Sequence, residues 1–190
     1  MTVELRSIYL PFFFLSVIIG YQISFYFLYN YYKYKEKNVE SNKIQFYYGI
    51  FFGLVLTGYL CDIINDFYII NIVLKDFFLK ITYFLVILGA LSVLFFTNSK
   101  IFEGMINSAL IKIMIFANII SLILLFILNS SSYEFHFIII FFISVDFLFI
   151  FTLQIKLIRF SNSHIKKSLK FILIGAILCY ISIVIGFIPR

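Results

Sequence analysis

Tryptophan is absent from this 190-residue chain, which also holds only two cysteines, two prolines and eight glycines. Two cysteines cannot staple a disulfide scaffold, and so little proline and glycine excludes a collagenous or proline-rich chain. Charge is scarce too: 13% of the residues are Asp, Glu, Lys or Arg, against about 25% in an ordinary soluble domain. That scarcity excludes a disordered chain and argues against nearly every soluble enzyme. Catalytic signatures are missing as well. There is no Gly-x-Ser-x-Gly elbow and no His-Glu-x-x-His helix, no cluster of aspartates of the phosphatidyltransferase kind, and no second central acid for an aspartyl protease. Thr57-Gly58-Tyr59 superficially echoes a potassium filter but sits inside an uninterrupted apolar run.

Apolar residues make up 63% of the chain and aromatics 22%. They gather into six runs, at about 8–29, 45–65, 77–96, 111–128, 135–155 and 169–188. At 1.5 Å per residue each run is long enough to cross the roughly 30 Å of hydrocarbon in a bilayer. None alternates polar and apolar as a lipid-facing strand must. In hydrocarbon every backbone N–H and C=O has to be paired internally, and a helix does this within one segment. The abundant Ile, Val and Phe, strand formers in water, therefore read here as helix. The fold class expected is all-α: a polytopic integral membrane protein, one bundle of six transmembrane helices over residues 1–190 with no soluble domain. The first run lacks a signal-peptide cleavage pattern and is expected to span. Residues 97–110 are a candidate short interfacial helix, with Ile101, Met105 and Ile106 toward lipid.

The bias of Lys and Arg in short loops sets orientation. Lys33, Lys35, Lys37 and Lys43, then Lys100 and Lys112, then Lys156, Arg159, Lys166, Lys167 and Lys170 fall on one side, against Arg6, Lys75, Lys80 and Arg190 on the other. Both termini are thus expected outside the cytoplasm, in the cell membrane. Tyr29, Tyr31, Tyr32, Tyr34, Tyr47 and Tyr48 flank the first inner loop as an aromatic belt would. The basic inner loops are candidate sites for anionic lipid headgroups; orientation already accounts for their charge, so nucleic acid is rejected as a partner.

Helices in lipid associate through small residues that let backbones approach. Ser16, Gly20 and Ser24 in the first span, Gly49, Gly53 and Thr57 in the second, and Gly175, Cys179, Ser182 and Gly186 in the sixth form such stripes. They serve packing within the chain or a homo- or hetero-oligomer face. Cys61 and Cys179 lie at different depths, so a disulfide, which needs Cα atoms within about 7 Å, is not expected.

Asp146 is the most informative residue. It sits near the centre of the fifth span, where a carboxylate costs about 2.5–3.5 kcal/mol. The next base downstream, Lys156, is about 15 Å away along a helix axis, and no other span carries Lys or Arg at that depth. A carboxyl with no counter-ion is expected to be neutral and to donate a hydrogen bond. Asn118, Gln22 and Tyr180 lie at matching depth and are its expected partners in one midplane polar cluster. Such a cluster either holds helices together or binds a proton, a cation or a ligand. Near the outer surface Asp62, Asp66, Glu134 and His136 are weak candidates for a metal site. No cofactor is expected. The function expected is that of a non-enzymatic membrane protein: a sensory or ligand-binding module, or the membrane subunit of a larger assembly. The alternative is a small proton- or cation-coupled transporter that uses the midplane carboxyl.

Overall fold

The computed structural model describes residues 3–34, 39–97, 107–128 and 133–160, with single helical positions at Lys166, Leu169, Lys170, Leu173, Ile174 and Ile177. These residues form five helices: α1 (Val3–Tyr34), α2 (Val39–Tyr68), α3 (Ile72–Thr97), α4 (Ser108–Ile127) and α5 (Tyr133–Phe160). Each is long and apolar enough to cross a membrane. The expected count of six is not matched: most of 169–188, and all of the candidate interfacial stretch between 98 and 106, lie outside the described residues. The first five expected spans fall within these helices, apart from Leu128, which forms the C-cap of α4. Hydropathy marks only the part of a helix that needs hydrocarbon, whereas backbone hydrogen bonding carries it on into the polar interface.

Local chemistry closes the helix ends. Asn71 caps α3, its Oδ1 accepting from the backbone N–H of Val73 at 2.9 Å and Leu74 at 3.3 Å. Asn107 caps α4 in the same way, accepting from the N–H of Ala109 at 2.9 Å. Such caps satisfy donors that a first turn leaves open. Within the helices, Thr82, Thr97, Ser121 and Thr152 return their hydroxyls to carbonyls of their own preceding turn, so these side chains need no water.

Two of the small-residue stripes meet each other. Antiparallel α1 and α2 bring Leu28 against Gly49, Ser24 against Gly53 and Leu56 against Gly20. Ser24 donates to the Gly49 carbonyl at 2.7 Å. The Tyr21 hydroxyl shares a 2.7 Å hydrogen bond with Thr57 Oγ1, which itself donates to the Gly53 carbonyl. Ser16 is exposed instead, because each four-residue step drifts about 40° around a helix and carries the stripe off the contact. The stripe at Gly175, Cys179, Ser182 and Gly186 lies outside the described residues.

Helix α3 is the hub, packed on α2, α4 and α5, while α1 packs on α2. Its Tyr83, Val86, Ile87, Ala90, Val93 and Leu94 are buried in the common core. Helix α4 buries Ile111, Met114, Asn118, Ser121 and Leu125, alternating steps of three and four that suit left-handed packing. Its outer face is the greasier one: Phe116 and Phe126 are about two-thirds exposed, while Asn118 and Ser121 are sealed. Water would penalise that arrangement and hydrocarbon favours it. Together with the five apolar helices it suggests a helical membrane protein. Among the described bases, Lys33, Lys43, Lys112, Lys156 and Arg159 are exposed. Alternating helix directions place them at one end of the bundle, opposite the α2–α3 turn.

Candidate functional site

Helix α5 turns two polar residues, Asp146 and Gln154, inward. Along the buried line of Phe135, Ile139, Ile143, Phe147, Ile150 and Leu153 lies Asp146, 2% exposed. Its partner comes from α4: Asn118 Nδ2 donates to Asp146 Oδ1 at 2.7 Å and also to the Met114 carbonyl at 3.0 Å. Asn118 is itself only 1% exposed. Both amide hydrogens are therefore used, one holding the side chain against its own helix and one crossing to α5. Two acceptors are left over, Asn118 Oδ1 and Asp146 Oδ2, both buried without a hydrogen-bond partner. A single proton on Asp146 Oδ2 turns one orphan acceptor into a donor. Among the described residues no ion pair reaches this carboxyl: the salt bridge they contain, Asp76–Lys80 at 3.4 Å, lies near the α2–α3 turn.

Gln22, another expected member of the cluster, does not share this place. It is exposed on α1, whose packing partner is α2 rather than α5. A similar place along an apolar run says nothing about the direction a side chain takes around its helix. Tyr180 lies outside the described residues. Ser121, one turn beyond Asn118, is fully buried but donates to the Ala117 carbonyl at 3.1 Å.

Two further polar contacts sit on α5, one toward each end. At the outer end by the expected orientation, His136 Nδ1 lies 3.2 Å from the Tyr83 hydroxyl of α3. Of the expected weak metal ligands, His136 thus pairs with a tyrosine, and Asp62 is half-buried. Glu134 is exposed and Asp66 half-buried. Among the described residues no three His, Cys, Asp or Glu side chains gather into a group that could hold a metal. Toward the basic end, Gln154 is fully buried and faces Tyr48 of α2, yet neither end of its amide nor the Tyr48 hydroxyl completes a hydrogen bond.

Sequence reasoning missed both contacts. Tyr48 was expected in an interfacial belt but is fully buried; Tyr29 and Tyr32 are exposed as a belt requires. Gln154 stands one residue before the end of its apolar run. The available signal was its eight-residue spacing from Asp146, which puts it two turns on, only about 80° around the same helix. Polar contacts therefore punctuate one face of α5 at intervals of about 15 Å and 12 Å, with close-packed Ile, Phe and Leu between. Each contact joins α5 to a different neighbour. No known protein family, curated protein or solved structure matches this chain.

Proposed function

We propose that this chain is a non-enzymatic multi-pass protein of the cell membrane, a sensory or ligand-binding module or the membrane subunit of a larger assembly. In this reading it crosses the bilayer six times with both termini outside. The observation that supports it is the Asp146–Asn118 contact. The costliest group in the chain is closed into the seam between α4 and α5, where its protonation or replacement by a ligand group changes how two helices hold each other. A bistable seam of this kind is what a small membrane module needs to report a change. Lys75 and Lys80 stand at the other end, but the larger group of Lys33, Lys43, Lys112, Lys156 and Arg159 shares one end, which supports the orientation, since positive loops stay inside. Bases there suit anionic headgroups or the acidic segment of a partner, and the exposed faces of α1 and α4 suit the bilayer or a second chain.

Spin labels at exposed Ile119 on α4 and Leu148 on α5 test the seam. In lipid nanodiscs, the distance distribution of the native sequence is expected to change between pH 5 and pH 9, and that of Asp146→Asn to stay fixed. An unchanging native distribution would remove the sensory form of the proposal. Purification in mild detergent tests the rest: a ligand or partner should accompany the protein, and a solitary, ligand-free chain speaks against it.

A second reading, a proton- or cation-coupled transporter, draws on the orphan oxygen of Asp146, a titratable group at midplane. It requires pH-dependent flux in proteoliposomes that Asp146→Asn abolishes without loss of folding. Equal flux in the two proteins would refute it.

A further inference from the structure

Opposite the basic end, beside the α2–α3 turn, a cavity of about 620 Å³ lies between α2, α3 and α4. Its volume is that of a small-molecule site, which usually falls at about 300–1,000 Å³. Polar groups occupy one part of its wall: Asn65 from the last turns of α2, and Lys75, Asp76 and Lys80 from the first turns of α3. Apolar side chains, among them Leu79 of α3 and Phe126 of α4, form the rest.

The charges are unequal. Asp76 holds Lys80 at 3.4 Å, and Lys75 adds a second ammonium, so two cations and one carboxylate leave a single positive charge in the wall. An anion is favoured over a cation, and one negative charge neutralises the site. Asn65 is 7% exposed, and its carboxamide oxygen is buried without a hydrogen-bond partner. Asn65 lines the cavity, and a turn of its amide toward the occupant lets that acceptor take a donor. The apolar wall calls for hydrocarbon, which inorganic phosphate does not offer. The site also lies where the helices end, at the depth of headgroups in a membrane protein.

We propose that this cavity binds a phospholipid with a single negative charge and a hydroxyl-bearing headgroup, of the phosphatidylglycerol type. The phosphate lies toward Lys75 and Lys80, a headgroup hydroxyl donates to Asn65, and the first acyl carbons run along Leu79 and Phe126. This site is at the end of the bundle opposite the lysine-rich loops, and it is independent of the Asp146 reading, because it involves neither that carboxyl nor the α4–α5 seam.

Native mass spectrometry of the full chain, released from detergent with defined lipids, tests the proposal. Phosphatidylglycerol should be retained more strongly than phosphatidylethanolamine or phosphatidylcholine. Lys75→Glu, at an exposed position, should reduce that retention about fivefold or more, while Lys112→Glu at the basic end should not. Phosphatidylmethanol carries the same charge without the hydroxyl and isolates the role of Asn65. The native protein should prefer phosphatidylglycerol over it, and Asn65→Leu should lose that preference while still distinguishing both from phosphatidylcholine. Equal retention of all the lipids, or indifference to Lys75→Glu, overturns the site. Absence of the headgroup preference in the native protein overturns the hydroxyl assignment. Displacement of the lipid by soluble glycerol phosphate at comparable concentration would show that the occupant is a free phosphate and overturn the lipid assignment.

Discussion

Asn118 spends both amide hydrogens to hold Asp146, so the two residues are unequal partners. Replacing the amide by leucine leaves the carboxyl buried with no donor at all. Asn118→Leu is expected to destabilise the bundle by about 1–3 kcal/mol, the cost of an orphaned buried polar group. Replacing both residues removes the problem along with the bond, and the double variant Asn118→Leu/Asp146→Leu should recover much of that loss. Reversible unfolding in mixed detergent micelles measures the coupling, expected near 0.6 kcal/mol and no more than about 2 kcal/mol for a bond inside a membrane protein. Strictly additive losses would show that the pair does not act as one unit. This much of the site was legible in the sequence, because an acid in the middle of an apolar run must find a partner and Asn118 is polar at the same depth. Gln22 met the same criterion and turns away. Run boundaries fix position along an axis, and rotation about it depends on packing between helices that a hydropathy profile does not contain.

At the scale of the helix pair, close approach is set by glycines whose neighbours differ in how far they can yield. A Cβ added at Gly53 meets Ser24 Oγ at 3.2 Å, and one at Gly20 meets the Leu56 side chain. Both obstacles are side chains that can turn aside. A Cβ added at Gly58 meets the backbone carbonyl of Thr82 on α3 at 2.9 Å, and a helix cannot move one carbonyl alone. Gly58→Ala is therefore expected to cost about 1–3 kcal/mol of stability through overpacking, clearly more than Gly53→Ala in the same host. Thermal denaturation of the three proteins in one detergent decides it, and equal losses would place the α2–α3 contact elsewhere. The stripes that pair α1 with α2 were legible because two residues in the same repeating step announce a groove. Gly58 stands outside the Gly49–Gly53–Thr57 repeat, so only the packed helices reveal that it serves the other side of α2. Helices α2 and α3 thus use one glycine each at their contact, with Gly89 seated against Val55 and Phe51.

Across the whole molecule, the helical architecture was legible because hydrocarbon permits few alternatives: apolar runs of bilayer length must pair their own backbones. The helix termini were not, since α2 starts at Val39 and α5 continues to Phe160, in stretches where water can also satisfy the chain and composition no longer decides. Orientation rests on charge asymmetry, and the bundle makes it testable. Lys33, Lys43 and Lys156 share one end and are exposed, whereas Ile70 lies in the α2–α3 turn at the other and is 93% exposed. In sealed cells carrying a variant without Cys61 and Cys179, a cysteine at Ile70 should react with a membrane-impermeant maleimide. Cysteines at Lys33 or Lys156 should react only after the membrane is opened. A reporter at residue 190 then separates six crossings from five, because a sixth returns the C-terminus to the side of Ile70 and a fifth leaves it with Lys156. Labelling of Lys156 and Ile70 from the same face would contradict a crossing by the helices between them, and with it the assignment of Asp146 to the middle of a bilayer.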